Sequence, residues 1–235
     1  MSTQTKDEKL LMKQKSAQKA IEYVREKMIL GVGSGSTVRE FIKLLKKADI
    51  NLSEIICIPS SFDTEAMLIE QGCQVGALNQ YPNIDLTIDG ADRVDAELNI
   101  IKGGGGALLR EKIIAGAAKE VIIIVDESKI VPKLGGSFPV PVEVIPLAKE
   151  FVKETLEAMG GRVTLRKASD KLGPTVTDNG NIILDTDFKE IADPEALEME
   201  LNKIPGVMEN GLFPKGLISR VIVAEKQEIK LLEKA

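Results

Sequence analysis

Four short apolar runs constrain this chain more than any other feature: "MILGVG" (28–33), "EIICIP" (54–59), "IDLTID" (84–89) and "VIIIVD" (121–126). Each has the length and composition of a buried strand. Helical periodicity fills the gaps between them. A helix is expected over residues 6–27, another over about 63–71, and Val38, Phe41, Ile42 and Leu45 fall at i, i+3, i+4 and i+7 on one helical face. A helical pattern also follows the glycines at 103–106. Strands separated by helices predict an α/β fold, a mainly parallel sheet with helices on both faces in a Rossmann-like arrangement. Ligands of such sheets sit beyond the carboxyl ends of the strands.

The pattern changes near residue 139. From "FPVPVEVIP" (138–146) the order is strand, helix (147–159), strand (161–167), a turn-rich "GPTVTDNGN", strand (182–185), helix (194–203) and strand (206–212). That βαββαβ order predicts a smaller ferredoxin-like α+β domain over 139–212. "GLISRVIVAE" (216–225) is expected to return to the first sheet, so residues 1–138 and 213–235 form the larger domain.

With 235 residues, 43% hydrophobic and 29% charged, the chain has ordinary globular composition. No run approaches the ~18 apolar residues of a membrane span, and the charged N-terminus shows no apolar signal core. Neither membrane nor nucleic acid is expected as a partner, the latter because the net charge is −5. Cys57 and Cys73, the only cysteines, are too few for a disulfide framework and are expected as half-buried thiols in a reducing cytoplasm. There is no histidine. Histidine triads, histidine metal sites and imidazole bases are therefore excluded, and proton chemistry falls to carboxylates, lysines, cysteines or tyrosines.

Three stretches at strand ends carry candidate chemistry. "GVGSGST" (31–37) follows a strand and opens a helix, so its bare N–H groups and hydroxyls make a nest for a phosphate. It is not a dinucleotide fingerprint, because Ser36 stands at the sixth place, and no lysine makes it a Walker loop. The alternative is a strand-to-helix turn with a Ser/Thr cap. In "DGADRVD" (89–95), Asp89 and Asp92 bracket a Gly-Ala turn and can aim into one crevice, or form an Asx-type turn with solvated acids. The spacing is not that of a calcium loop. "KGGGGALLREK" (102–112) places Lys102 before four glycines and Glu111 early in the next helix. An ammonium, backbone donors and a carboxylate are the parts of enolate chemistry; the alternative for Glu111 is a surface residue beside Arg110 and Lys112.

Taken in order and spacing, "GVGSGSTV", "DGAD", "IKGGGGALLREK", "VDESK", "FPVPVEVIP" and "TDNGNIILD" resemble ribose-5-phosphate isomerase of type A, from about residue 13 to about 224. The resemblance implies an aldose–ketose isomerase of the pentose phosphate pathway, with a sugar phosphate as substrate, no cofactor and no metal, and a homodimer or homotetramer as its assembly. It implies Glu111 as the base moving a proton between C1 and C2, and Asp89 and Asp92 handling hydroxyl protons and ring opening, with Gly90 and Ala91 lining the substrate between them. Lys102 and the amides of Gly103, Gly104 and Gly105 would steady the enediolate oxygen. Ser34, Gly35, Ser36 and Thr37 would hold the phosphate, with charge from Lys129 of "VDESK" and from Lys13. Two residues depart from the family pattern. Ser34 replaces a usual threonine and keeps its hydroxyl, whereas Arg93 replaces a usual glutamate and is expected to lower the pKa of Asp92. Coenzyme A transferases, amino-sugar phosphate deaminases and non-catalytic sugar-phosphate sensors are the competing readings. The first would need a coenzyme A groove, the second relies on histidine, and the third would need no Glu111.

Overall fold

The structure, a computed structural model, describes residues 5–136, 138–169 and 172–233. In chain order it runs α1 (Lys6–Ile21), β1 (Ile29–Val32), α2 (Ser36–Leu45), β2 (Ile56–Pro59), α3 (Phe62–Glu70), β3 (Gln74–Val75), β4 (Ile84–Asp89), β5 (Arg93–Val94), β6 (Ile100–Ile101), α4 (Leu108–Gly116) and β7 (Ala118–Asp126). It continues with β8 (Val140–Val144), α5 (Lys149–Ala158), β9 (Arg162–Leu165), β10 (Ile182–Asp187), α6 (Pro194–Asn202), β11 (Val207–Asn210), β12 (Leu212–Phe213), β13 (Arg220–Ala224) and β14 (Ile229–Glu233). These elements gather into two compact units. The first holds the chain up to Ala91, Arg110–Ile130 and Leu217 onward; the second holds Asp92–Leu109 and Val131–Gly216.

The first unit is built on a seven-stranded sheet of order β14-β13-β7-β4-β1-β2-β3. All neighbours are parallel except β14, which pairs antiparallel with β13. Strand alternation divides the side chains between two faces. Leu30, Val32, Leu86, Ile88, Ile122 and Ile124 face a core shared with Ala17, Ala20 and the α2 residues Val38, Phe41, Ile42 and Leu45. Those four α2 side chains are buried as their spacing predicts, each contributing roughly 1.5–3 kcal/mol of hydrophobic stabilisation. On the other face Ile58 packs with Ile114 of α4, in a cluster that Ile84 joins from the start of β4. Gly31 permits that approach, since a Cβ there would stand 2.7 Å from Ile114 Cγ2 and 2.2 Å from Thr87 Oγ1.

Helix α1 is capped by a reciprocal Thr5–Glu8 pair and stops at Ile21, short of the expected residue 27. Its continuation tightens, with Tyr23 and Val24 donating to carbonyls three residues back, and Lys27 adopts a left-handed φ of 66° before β1. The edge strands β3 and β14 lack a periodic apolar signal, being two residues long and mostly exposed respectively.

In the second unit β8, α5, β9, β10, α6 and β11 form the expected βαββαβ unit, a four-stranded antiparallel sheet of order β11-β8-β10-β9. Its core includes Val140, Val142, Val144, Val152, Leu156, Leu184 and Leu201. A second sheet of order β12-β6-β5 lies within the same unit. The change of pattern at 139 therefore marks only one crossing: residues 92–109 and 131–138 also pack with this unit. The expected strand 206–212 is split at Gly211, whose N–H donates to Pro141 O at 2.7 Å. A Cβ at Gly211 would lie 2.3 Å from the Lys102 carbonyl oxygen, so only glycine lets the chain pass from β11 to β12.

Candidate active site

Within the first unit the chain runs outward from β1 to β2 and β3 on one side, and to β4, β7 and β13 on the other. The order reverses between β1 and β4, so the loops leaving these two strands stand at the switch point of the sheet, where open sheets of this class bind ligands. The β1 loop is Gly33–Gly35 and the β4 loop begins at Asp89.

Ser34 joins the two loops and α4. Its N–H donates to Asp89 Oδ1 at 3.2 Å, and its hydroxyl donates to Glu111 Oε1 at 2.6 Å. Asp89 Oδ1 also accepts the Gly90 N–H at 2.7 Å. Both carboxylates are nearly sequestered from solvent, at 2% exposure for Asp89 and 3% for Glu111. The surface alternative for Glu111 and the solvated-turn alternative for Asp89 are thus set aside by their burial. Gly33 is required for the close approach, because a Cβ there would stand 1.9 Å from Asp89 Oδ1.

The β1 loop enters α2 through Gly35, its N-cap, at φ 99° and without a side-chain cap. The first-turn N–H groups of α2 therefore keep no capping side chain, which suits them to an anion. Thr37 is buried in that turn. Lys13 of α1 donates to Ser36 Oγ at 2.9 Å and brings an ammonium to the same loop. Lys129 is half-buried in the turn that follows β7, where Asp126 accepts the Ser128 N–H at 3.0 Å.

Sequence reasoning missed Thr64 and Ser61, which brace the loop from α3. Thr64 Oγ1 donates to Gly33 O at 2.8 Å and accepts from Ser61 Oγ at 2.9 Å. The signal was the S-x-x-T spacing of an N-cap after a strand.

In the second unit, Asp92 is fixed from three directions. Its N–H donates to Ile101 O at 2.8 Å, its carboxylate Oδ2 accepts the Gly104 N–H at 2.7 Å, and its carbonyl accepts Arg93 Nη1 at 2.6 Å. The Arg93 guanidinium lies 5.1 Å from the centre of the Phe138 ring. This unusual arginine thus spends its charge on a carbonyl and a ring face.

Lys102 is 3% exposed, its N–H donating to Gly211 O at 2.9 Å and its ammonium 5.7 Å from the Phe213 ring centre. Of the glycines after it, Gly103 and Gly106 take the left-handed angles, φ 96° and 85°. Gly104 does not, although a Cβ on it would stand 2.8 Å from Asp92 Oδ1. A Cβ there would have to displace the Asp92 carboxylate, so the constraint at Gly104 is that carboxylate's position rather than the backbone angle.

Among the described residues, no group of three or more His, Cys, Asp or Glu side chains is placed to hold a metal ion. No helix among them is long and apolar enough to cross a membrane.

Known proteins match this arrangement over most of its length. The family described as ribose 5-phosphate isomerase A (phosphoriboisomerase A) matches residues 56–228. The ribose-5-phosphate isomerase A of Pyrococcus abyssi is 44% identical over 227 residues, covering 95% of this chain and 98% of its own. That of Archaeoglobus fulgidus is 48% identical over 223 residues, covering 94% and 98%. A solved D-ribose-5-phosphate isomerase in complex with phospho-erythronic acid superposes with a TM-score of 0.92 at 42% identity, over 95% of this chain and 98% of that one.

Proposed function

The chain belongs to the ribose 5-phosphate isomerase A family; it is an aldose–ketose isomerase interconverting D-ribose 5-phosphate and D-ribulose 5-phosphate, and we propose how its side chains divide that work. The observation that carries the proposal is Ser34, one residue hydrogen-bonded to both buried carboxylates, Asp89 and Glu111.

The phosphate is held by Gly35, Ser36 and Thr37 at the start of α2, where backbone N–H groups and hydroxyls meet the dianion; Ser34, expected among them, gives its N–H and hydroxyl to Asp89 and Glu111 and ties that loop to the two carboxylates. Lys13 and Lys129 supply the compensating charge. Asp89 and Asp92, with Gly90 and Ala91 between them, hold the sugar hydroxyls and move the proton that opens the ring. Glu111 then takes the proton from C2 of the open aldose and returns it to C1, while a hydroxyl proton passes from O2 to O1. A general base of this kind contributes about 10²–10⁴-fold. Negative charge develops on the enediolate oxygen, and Lys102 with the amides of Gly103 and Gly105 stabilises it. The Gly104 amide is already given to Asp92, so its part is to hold that carboxylate.

Glu111→Gln tests the assignment. Gln keeps the shape and removes the basicity, and no histidine is present to substitute. Turnover is expected to fall by a thousandfold or more, roughly 4 kcal/mol of transition-state stabilisation, while substrate still binds by calorimetry. A variant retaining a tenth of the activity would remove Glu111 from the role of base.

Finer assignments follow from the same reading. The enzyme works in the non-oxidative pentose phosphate pathway, in the cytoplasm, where Cys57 and Cys73 remain free thiols. It assembles as a homodimer or homotetramer, supported by apolar side chains left open to solvent at Leu147 and Phe151. Light scattering on the purified chain measures that directly.

A further inference from the structure

We infer that Arg166, held by Asp185, is a positioning residue for the isomerisation, acting through one peptide bond on Asp92 and the glycine run. The inference rests on the roles proposed above for Asp92 and Gly105.

Arg166 follows β9, and its N–H donates to Ile183 O of β10 at 2.9 Å. Its guanidinium is engaged on both sides. Toward Asp185 of β10 it forms a two-point pair, Nε donating to Oδ2 at 2.8 Å and Nη2 to Oδ1. Its remaining arm, Nη1, donates to the carbonyls of Gly103 at 2.7 Å and Gly104 at 3.2 Å. The Arg166 and Asp185 side chains are only 16% and 20% exposed. A planar fork locked by a carboxylate gives its free edge a fixed direction, which a lysine could not reproduce.

That direction matters because a trans peptide points its C=O and N–H oppositely. The Gly103–Gly104 peptide offers its carbonyl to Arg166 and its N–H to Asp92 Oδ2, the latter at 2.7 Å. One peptide thus links the guanidinium to the catalytic carboxylate. The Gly104–Gly105 peptide also turns its carbonyl to Arg166, so the Gly105 N–H is directed to the side on which Asp92 stands. Four consecutive glycines impose little direction of their own. Arg166 supplies it, and the cation polarises each peptide so that its N–H is a stronger donor.

The alternative is that the pair only fastens β9 to β10. A control exists beside it: Arg162 of β9 pairs with Asp187 of β10 at 2.6 Å with its own side chain 84% exposed, and no glycine carbonyl is among its partners in the described residues. Arg166→Met, Arg166→Lys and Arg162→Met are compared for melting temperature, kcat and KM with ribose 5-phosphate. Arg166→Met is expected to lower kcat roughly tenfold to a hundredfold, the scale of a misplacement of about 1 Å. Its KM should stay within about threefold, because the phosphate loop is untouched. Arg166→Lys should recover part of the loss, and it serves alone if the methionine variant does not fold. Arg162→Met should keep the wild-type kcat. A folded Arg166→Met or Arg166→Lys with kcat within twofold of wild type overturns the inference, as does an equal loss in Arg162→Met. If Glu111→Gln is inactive while Arg166→Met is not impaired, only this inference falls. If Glu111→Gln stays active, the site assignment beneath it falls first.

Discussion

Adjacent glycines in the 103–106 run do different work, and substitution separates them. Gly103 has a left-handed φ of 96°, and a Cβ there would stand 3.0 Å from the Leu108 Cβ. Gly103→Ala should therefore lower the melting temperature, by a cost of roughly 1 kcal/mol or more. Gly104 lacks that angle, and its Cβ would meet the Asp92 carboxylate, the far end of a side chain that can swing away. Gly104→Ala should fold with a nearly unchanged melting temperature, while kcat for ribose 5-phosphate drops about tenfold or more, because the displaced Asp92 carboxylate is a misplaced group of the kind that costs up to ~10²-fold. Unchanged kinetics in Gly104→Ala would show that the position needs no glycine. The run itself was legible as a candidate ligand-facing feature, because four glycines between Lys102 and a helix are costly to order. Which two of the glycines carry the left-handed angles was not legible, since all four have the same side chain.

At the scale of elements, the parallel strands are tied together at the ends opposite the site. Asp85 in β4 accepts the Ile29 N–H of β1 at 2.9 Å and the Lys119 ammonium of β7 at 2.7 Å. The Lys119 hydrogen bond, then that of the Ile29 amide, holds the Asp85 carboxyl below its usual range. A carboxyl whose folded pKa lies below the unfolded value of about 3.9 stabilises the fold above that value. The contribution disappears as pH falls through the lower, folded pKa. Asp85→Asn should therefore be less stable than wild type at pH 7, with the gap closing below about pH 4. Urea midpoints measured against pH test this, and a gap that does not change with pH would rule out the charge as its source. The long strands and amphipathic α2 were readable because their periodicity is strong. The two-residue strands β3, β5, β6 and β12 were not, because pairing with a neighbour, not local pattern, makes them strands.

For the molecule as a whole, the missing histidine leaves metal binding to carboxylates and two cysteines. No described cluster gathers three of these, and the proposed electrophile is Lys102. Dialysis against EDTA should leave the isomerase activity unchanged, and restoration of a lost activity by Mg²⁺ or Mn²⁺ would contradict the mechanism. The resemblance in sequence, from about residue 13 to about 224, rested on loops at strand ends and on the strand-bearing stretches 138–146 and 177–185.

The sequence by itself determined the α/β class, the βαββαβ insertion and the identity of the candidate groups. These depend on periodicities of two and 3.6 residues and on glycines and acids at strand ends, all local in the chain. Tertiary structure alone decided the partners. It placed Ser34 against both Asp89 and Glu111, brought Lys13 to Ser36 across 23 residues, and set Arg166 on carbonyls 62 and 63 residues earlier. The physical reason is range: a hydrogen bond across such a separation leaves no periodic trace, since either partner alone is an ordinary polar residue in a loop.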